Sequence, residues 1–233
     1  MSSRARREGE YWEKHVLSWE EGAYPDSAGG SAHVGLLDRL STHFRGTYVQ
    51  DRMAAAADFL APNLPGLTVL DVGCASGRFA LRLLELGAHR VTGIDVAAAA
   101  VEAAHRRATA VAGDQLEFHQ ADVTAPDVQL PRVDLVTALG VLEYLDAPSL
   151  AAFLGKVRAR YFLFDLLLMR EVSTLRLLWP LRTLYLRAKS CPGVYMHSVQ
   201  EIADLAARAG LDGGHQARCR GFYFATNLPG GDG

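Results

Sequence analysis

The chain has 233 residues, 49% of them hydrophobic and 21% charged, with a formal net charge of −2. That length suits one ordinary domain with a small cap or insertion, and the apolar share is enough for a core. The near-neutral balance argues against nucleic-acid binding by bulk electrostatics, and three cysteines far apart, with no CxxC pair, argue for a reducing compartment and against a structural zinc site.

The basic start "MSSRARREGE" is followed by no apolar run of signal-peptide length. The segment "EYWEKHVLSWEE" is amphipathic, with Tyr11, Trp12, Val16 and Trp19 near helical spacing. "PDSAGGS" reads as a connector, and "VGLLDRL" and "YVQDRMAAAADFL" as two further helices, the second stopped by Pro62. Residues 1–62 are therefore expected to form an N-terminal helical cap.

From Leu67 the pattern changes to alternating strands and helices. "LTVLDV" reads as a buried strand and "RFALRLLELG" as a helix closed by Gly87. "RVTGIDV" is a second strand, followed by an Ala-rich helix over Ala97–Ala112. "QLEFHQ", "VDLVTAL" and "RYFLFDLLL" supply strands three to five, with a helix at Pro148–Arg160 before the fifth. Such alternation predicts a parallel sheet with helices on both faces and right-handed crossovers. The most apolar window, "YFLFDLLLM", is too short to span a bilayer and contains Asp165, so a soluble, cytoplasmic protein is expected.

Residues 167–196 break the alternation and mix Arg170, Arg176, Arg182, Arg187 and Lys189 with leucines, Trp179 and Tyr185; Pro180 kinks or splits any helix there. The composition suits a lid over a bulky apolar or acidic acceptor, contact with an anionic membrane surface, or a solvated basic face on a helical hairpin. "HSVQEIADLAARAGL" then reads as a helix with Ser198 as N-cap, Glu201 at N3 and Gly210 at its end. "HQARCR" and "GFYFATN" form a hairpin around Gly221, and residues 229–233 a loose tail.

The chemistry centres on "VLDVGCASGRF", Val69–Phe79, where a strand turns over small residues into a helix. Ligands of open parallel sheets sit at the carboxyl ends of the strands, and the free N–H groups of a following helix favour an anionic group. A dinucleotide loop, G-x-G-x-x-G, is filled here by Gly73, Ala75 and Arg78, and arginine substitutes poorly for the third glycine. The pattern G-x-G-x-G fits at Gly73 and Gly77, with Ala75 between them.

Together "VLDVGCASGRFALRLLELGAHRVTGIDVA", "HQADVTAP", "VDLVTALGVLEYL" and "HSVQEIADLAARAGL" resemble, in order, the motifs of class I S-adenosylmethionine-dependent methyltransferases. The resemblance runs from Leu67 to Leu228. It implies an α/β, Rossmann-like seven-stranded sheet, mostly parallel with a C-terminal antiparallel hairpin. This methyltransferase domain spans 63–228, with the lid inserted at 167–196 and the cap before it.

The resemblance also assigns roles toward S-adenosyl-L-methionine. Asp71 lies near its amino-acid moiety; Gly73, Ala75 and Gly77 line its backbone; Asp95, with Val96 beside it, takes the ribose hydroxyls. Asp122 and the Val123 backbone read the adenine, and Leu139 and Gly140 pass beneath the sulfonium. Ala75, where the family more often has glycine, is expected at negative φ. Tyr11, Trp12 and Trp19 either shield the sulfonium or only pack the cap on the core. Arg45 or Arg52 is expected on the cofactor carboxylate.

Transfer from a sulfonium needs a base only where the attacking atom holds its proton tightly. Glu143, Tyr144, His33, His43 and His197 are the candidates. No metal is indicated, because "LGVLEYL" carries no Asp/Asn pair after strand four. The helix before strand one and the end "RGFYFATNLP" loosely resemble magnesium-protoporphyrin O-methyltransferases, which implies a sizeable small-molecule acceptor. The expected activity is methylation of a small organic molecule in specialised metabolism, on oxygen before nitrogen. Two rivals share this fold: an enzyme using the sulfonium without methyl transfer, and a non-catalytic cofactor-binding subunit. The sequence gives no oligomeric state.

Overall fold

The computed structural model describes residues 10–17, 49–109, 113–166 and 195–229. Seven strands form one sheet: β1 (Thr68–Val72), β2 (Arg90–Asp95), β3 (Leu116–Gln120), β4 (Leu135–Ala138), β5 (Tyr161–Asp165), β6 (His215–Cys219) and β7 (Phe222–Thr226). Their spatial order is β3-β2-β1-β4-β5-β7-β6. β1 to β5 are parallel, and β7 runs antiparallel to both β5 and β6. The order reverses between β1 and β4, which makes that boundary the switch point of the sheet.

The inner strands β1, β4 and β5 read as near-continuous apolar runs because both faces are covered. Val69, Val91, Leu135, Leu163 and Phe224 point to one core. Their neighbours Leu70, Val136, Phe162, Phe164 and Ala225 point to the other. This is the two-residue period of a strand, with neither phase left to solvent in the inner strands and residues exposed at the edge strands β3 and β6.

The first core is covered by three helices: α2 (residues 49–60), α3 (Arg78–Glu85) and α4 (Ala98–Ala108). The second is covered by α5 (Ala147–Leu154) and α6 (Val199–Arg208). A short helix α1, residues 10–17, precedes them.

Local chemistry sets the boundaries. Asp146 caps α5 by accepting from the Ser149 amide, with Pro148 in the first turn. α5 ends at Leu154, short of the expected Arg160, because Arg158 pairs with Arg132 in a parallel bridge. Ser198 caps α6 as expected, accepting from the Glu201 amide at 3.1 Å. Glu201 departs from the capping box: its carboxylate goes to His197 rather than back to the cap. The β6–β7 hairpin turns on Arg220 and Gly221, with φ of 48° and 84°. Two positive φ values are what a two-residue turn needs to match strand twist.

The expected lid at 167–196 lies outside the described residues as far as residue 194, as do the segments "PDSAGGS" and "VGLLDRL". No described helix is long and apolar enough to cross a membrane.

Candidate cofactor site at the switch point

The site grows from the carboxyl ends of β1, β2 and β4. Register places Asp71 of β1 between Gly93 of β2 and Thr137 of β4. The Thr137 hydroxyl donates to Asp71 Oδ1 at 3.0 Å. Asp71 is only 2% exposed, and its second oxygen, Oδ2, has no hydrogen-bond partner among the described residues. Burial pushes its carboxyl up to about 7, against the Thr137 bond and helped by the nearby Asp95 charge.

The loop after β1 is bent by three consecutive alternate residues at positive φ: Gly73 (72°), Ala75 (45°) and Gly77 (76°). A Cβ at Gly73 would collide with the Val141 side chain, and one at Gly77 would meet the Phe118 ring at 2.6 Å. Ala75 corrects the expectation of negative φ. The left-handed turn points its amide at Asp95 Oδ2, 2.9 Å away. That charge-assisted bond offsets a strain of about 1–2 kcal/mol for a residue with a Cβ. Arg107 of α4 holds the loop from below, its Nε donating to the Ser76 carbonyl at 2.9 Å. Cys74 is buried and packs against Gly93.

Asp95 ends β2 and is 7% exposed. Its Oδ1 accepts from the Ala97 amide at 2.9 Å. Each oxygen thus takes one backbone N–H, which fixes the plane of the carboxylate. Val96 beside it accepts from the Gln120 side chain through its carbonyl. Asp122 turns on itself: Oδ1 accepts from both the amide and hydroxyl of Thr124, an Asx turn, while Val123 is buried.

Leu139 and Gly140 follow β4, with Gly140 at φ 70°. Here the structure adds a residue that the motif reading passed over. Asp165, at the end of β5, accepts from the Gly140 amide at 2.7 Å and pairs with Arg52 of α2 at 3.1 Å. Arg52, the residue expected on a cofactor carboxylate, lays its guanidinium against Gly140 and on Asp165.

The base candidates separate. His197 is 7% exposed in its side chain, with Nε2 2.8 Å from the Leu145 carbonyl and Nδ1 3.3 Å from Glu201. Nε2 thus ties the start of α6 to the turn after β4, while Nδ1 faces Glu201 of α6 itself. Tyr144 is buried in that turn, its ring 4.7 Å from Trp12 of α1. Glu143 accepts from the Tyr195 amide through its carbonyl. Tyr11 is 7% exposed and packs on His15, which favours a packing role. His33, His43, Arg45 and Trp19 lie outside the described residues. Among the described residues, no three His, Cys, Asp or Glu side chains converge as metal ligands would.

Residues 69–160 match a family model described as a methyltransferase domain. The ubiquinone biosynthesis O-methyltransferase of Methylocella silvestris is 36% identical over 111 residues, 47% of this chain and 40% of that protein. The ribosomal protein L11 methyltransferase of Aeromonas salmonicida is 34% identical over 137 residues, 58% of this chain and 44% of that one. The chain therefore spans less than half the length of these relatives. Among solved structures, magnesium protoporphyrin IX methyltransferase from Synechocystis PCC 6803, with SAH bound, superposes with a TM-score of 0.61 at 22% identity. The match covers 96% of this chain and 97% of that one. At that identity the likeness is one of fold. Residues 69–160 thus match a methyltransferase domain, and the seven-stranded sheet built around them shares the fold of that solved methyltransferase.

Proposed function

We propose that this chain is an S-adenosylmethionine-dependent methyltransferase acting on a small organic acceptor. The observation that carries the reading is the pair of buried carboxylates at the switch point: Asp71 with an unpartnered oxygen and Asp95 with its plane fixed by two amides. An ammonium group would complete Asp71, and the oriented carboxylate of Asp95 is an acceptor suited to a diol. The left-handed loop between them bends at Gly73 and Gly77, whose missing side chains let Val141 and Phe118 pack close. The donor set therefore fits the cofactor of this family.

In this reading Asp71 holds the amino-acid end, Asp95 the ribose, and the backbone at Asp122–Val123 the base. When bound, the cofactor supplies an activated methyl group. The protein's own part is then positioning: the Asp165–Gly140 bond sets the height of the loop after β4, and Tyr144 and Glu143 flank the approach. With both His197 nitrogens engaged, Tyr144 and Glu143 are the proposed groups at the acceptor among the described candidates. Oxygen is the proposed target atom, a reading supported by the similarity to a ubiquinone biosynthesis O-methyltransferase.

Two measurements test this. The full chain should bind S-adenosylhomocysteine, and with a panel of phenolic and carboxylate acceptors it should form S-adenosylhomocysteine from S-adenosylmethionine. Absence of binding in titration calorimetry would refute the cofactor assignment; binding without turnover across oxygen and nitrogen acceptors would refute the activity.

A further inference from the structure

α4 begins without a cap of its own. Its N-cap residue is Ala97, which offers no side-chain acceptor. The first three amides are served from elsewhere. Asp95 Oδ1 takes the Ala97 N–H at 2.9 Å. Glu13 of α1, 85 residues away in sequence, takes the Ala98 N–H at 2.6 Å through Oε2 and the Ala99 N–H at 3.1 Å through Oε1. A distant carboxylate thus caps a helix in bidentate fashion, where orphan N–H groups and the helix dipole both favour negative charge.

The residue before Glu13 faces the other way. Trp12 packs edge-on to Tyr144 in the turn after β4. Adjacent helix residues project about 100° apart, so α1 can reach two elements at once. β2 and β4 are the two neighbours of β1 in the sheet. They lie two strand spacings apart, about 10 Å. α1 therefore bridges the turns that flank the end of β1, across the mouth of the loop Gly73–Gly77.

We propose that Glu13 is a latch: it holds α1 closed across the cofactor cleft and so sets the rate at which cofactor enters and leaves. The inference rests on the cofactor reading above. Glu13 is an exposed residue gripping the protein's own helix, not a cofactor atom, which makes it a positioning residue. Because its bonds are within the protein, loosening them raises the open fraction whether the cleft is filled or empty. Association and dissociation should then quicken together, with Kd nearly constant.

The test uses the full chain and two variants, Glu13→Gln, which keeps one acceptor oxygen, and Glu13→Ala, which keeps none. Association of radiolabelled S-adenosylmethionine, and its displacement by excess S-adenosylhomocysteine, are followed by rapid filtration. Both rate constants should rise roughly three- to tenfold in Glu13→Ala, and by less in Glu13→Gln. Thermal unfolding of each variant separates this from simple capping, which would lower Tm and leave both rates unchanged. Unchanged rates overturn the latch, as does a rise in dissociation alone, which would mean a direct grip on the cofactor. Failure of the wild-type chain to bind the cofactor overturns the underlying reading and the latch with it.

Discussion

Asp71 makes the sharpest prediction, because its environment gives a sign as well as a size. The carboxyl is buried, accepts one bond from Thr137 and faces the Asp95 charge; its proton is held to about 7, against an ordinary value of 3.8. Between those values the folded chain keeps a proton that the unfolded chain has lost. The stabilising contribution is complete below pH 3.8 and is lost as pH rises toward 7. The gap corresponds to about 4 kcal/mol. Asp71→Asn retains the volume and an acceptor for Thr137 but cannot ionise. Urea unfolding of both proteins from pH 4 to pH 8, without cofactor, isolates the effect, since every other titrating group appears in both. The stability of the wild type relative to the variant should fall by about 4 kcal/mol across that range. A cation placed against Asp71 reverses the preference, so saturating S-adenosylmethionine should flatten the difference. Binding near pH 6 should release protons, seen as buffer-dependent heats in calorimetry. A pH-independent difference between the two proteins would refute the burial argument; proton uptake on binding would refute the placement of the ammonium group.

Three further substitutions probe the frame of the site. Ala75→Gly should raise unfolding free energy by about 1 kcal/mol in urea titration, because glycine takes the left-handed loop conformation without a Cβ clash, while the amide bond to Asp95 persists. His197→Gln should lower stability by about 1–3 kcal/mol and leave turnover within a few-fold of wild type. A loss of turnover that follows the titration of a single group would restore His197 as a base. Asp165→Asn should weaken the Arg52 tie and release the Gly140 loop, lowering kcat more than it raises KM, since the loop sits beneath the reacting centre in the proposed reading. An effect confined to Tm would make the pair structural.

The parts of this molecule that were legible in the sequence are those written in local patterns. β1 and its loop, β2 ending in Asp95, and the Ser198-capped helix each announce themselves within a dozen residues, through apolar runs, glycines and a capping serine. What was not legible depends on pairs brought together by the sheet. Ala75 at positive φ follows from an Asp95 acceptor 20 residues away, which a propensity argument for alanine cannot include. His197 looked like a free base because only the fold brings the Leu145 carbonyl to its far nitrogen. Glu13 read as one charge on an amphipathic helix, and Asp165 as an odd polar residue in an apolar strand. Each becomes meaningful only once its partner amide is in place, at Ala98 and Gly140 respectively. The pattern has a physical basis. In a doubly wound sheet the strand ends gather residues from distant segments, and the carboxylates there are recruited by backbone N–H groups that carry no mark in the sequence. An unexplained acid at a strand end or on a cap helix of such a fold is therefore best read as seeking an amide, and the Glu13 variants would show whether that search also controls access to the site.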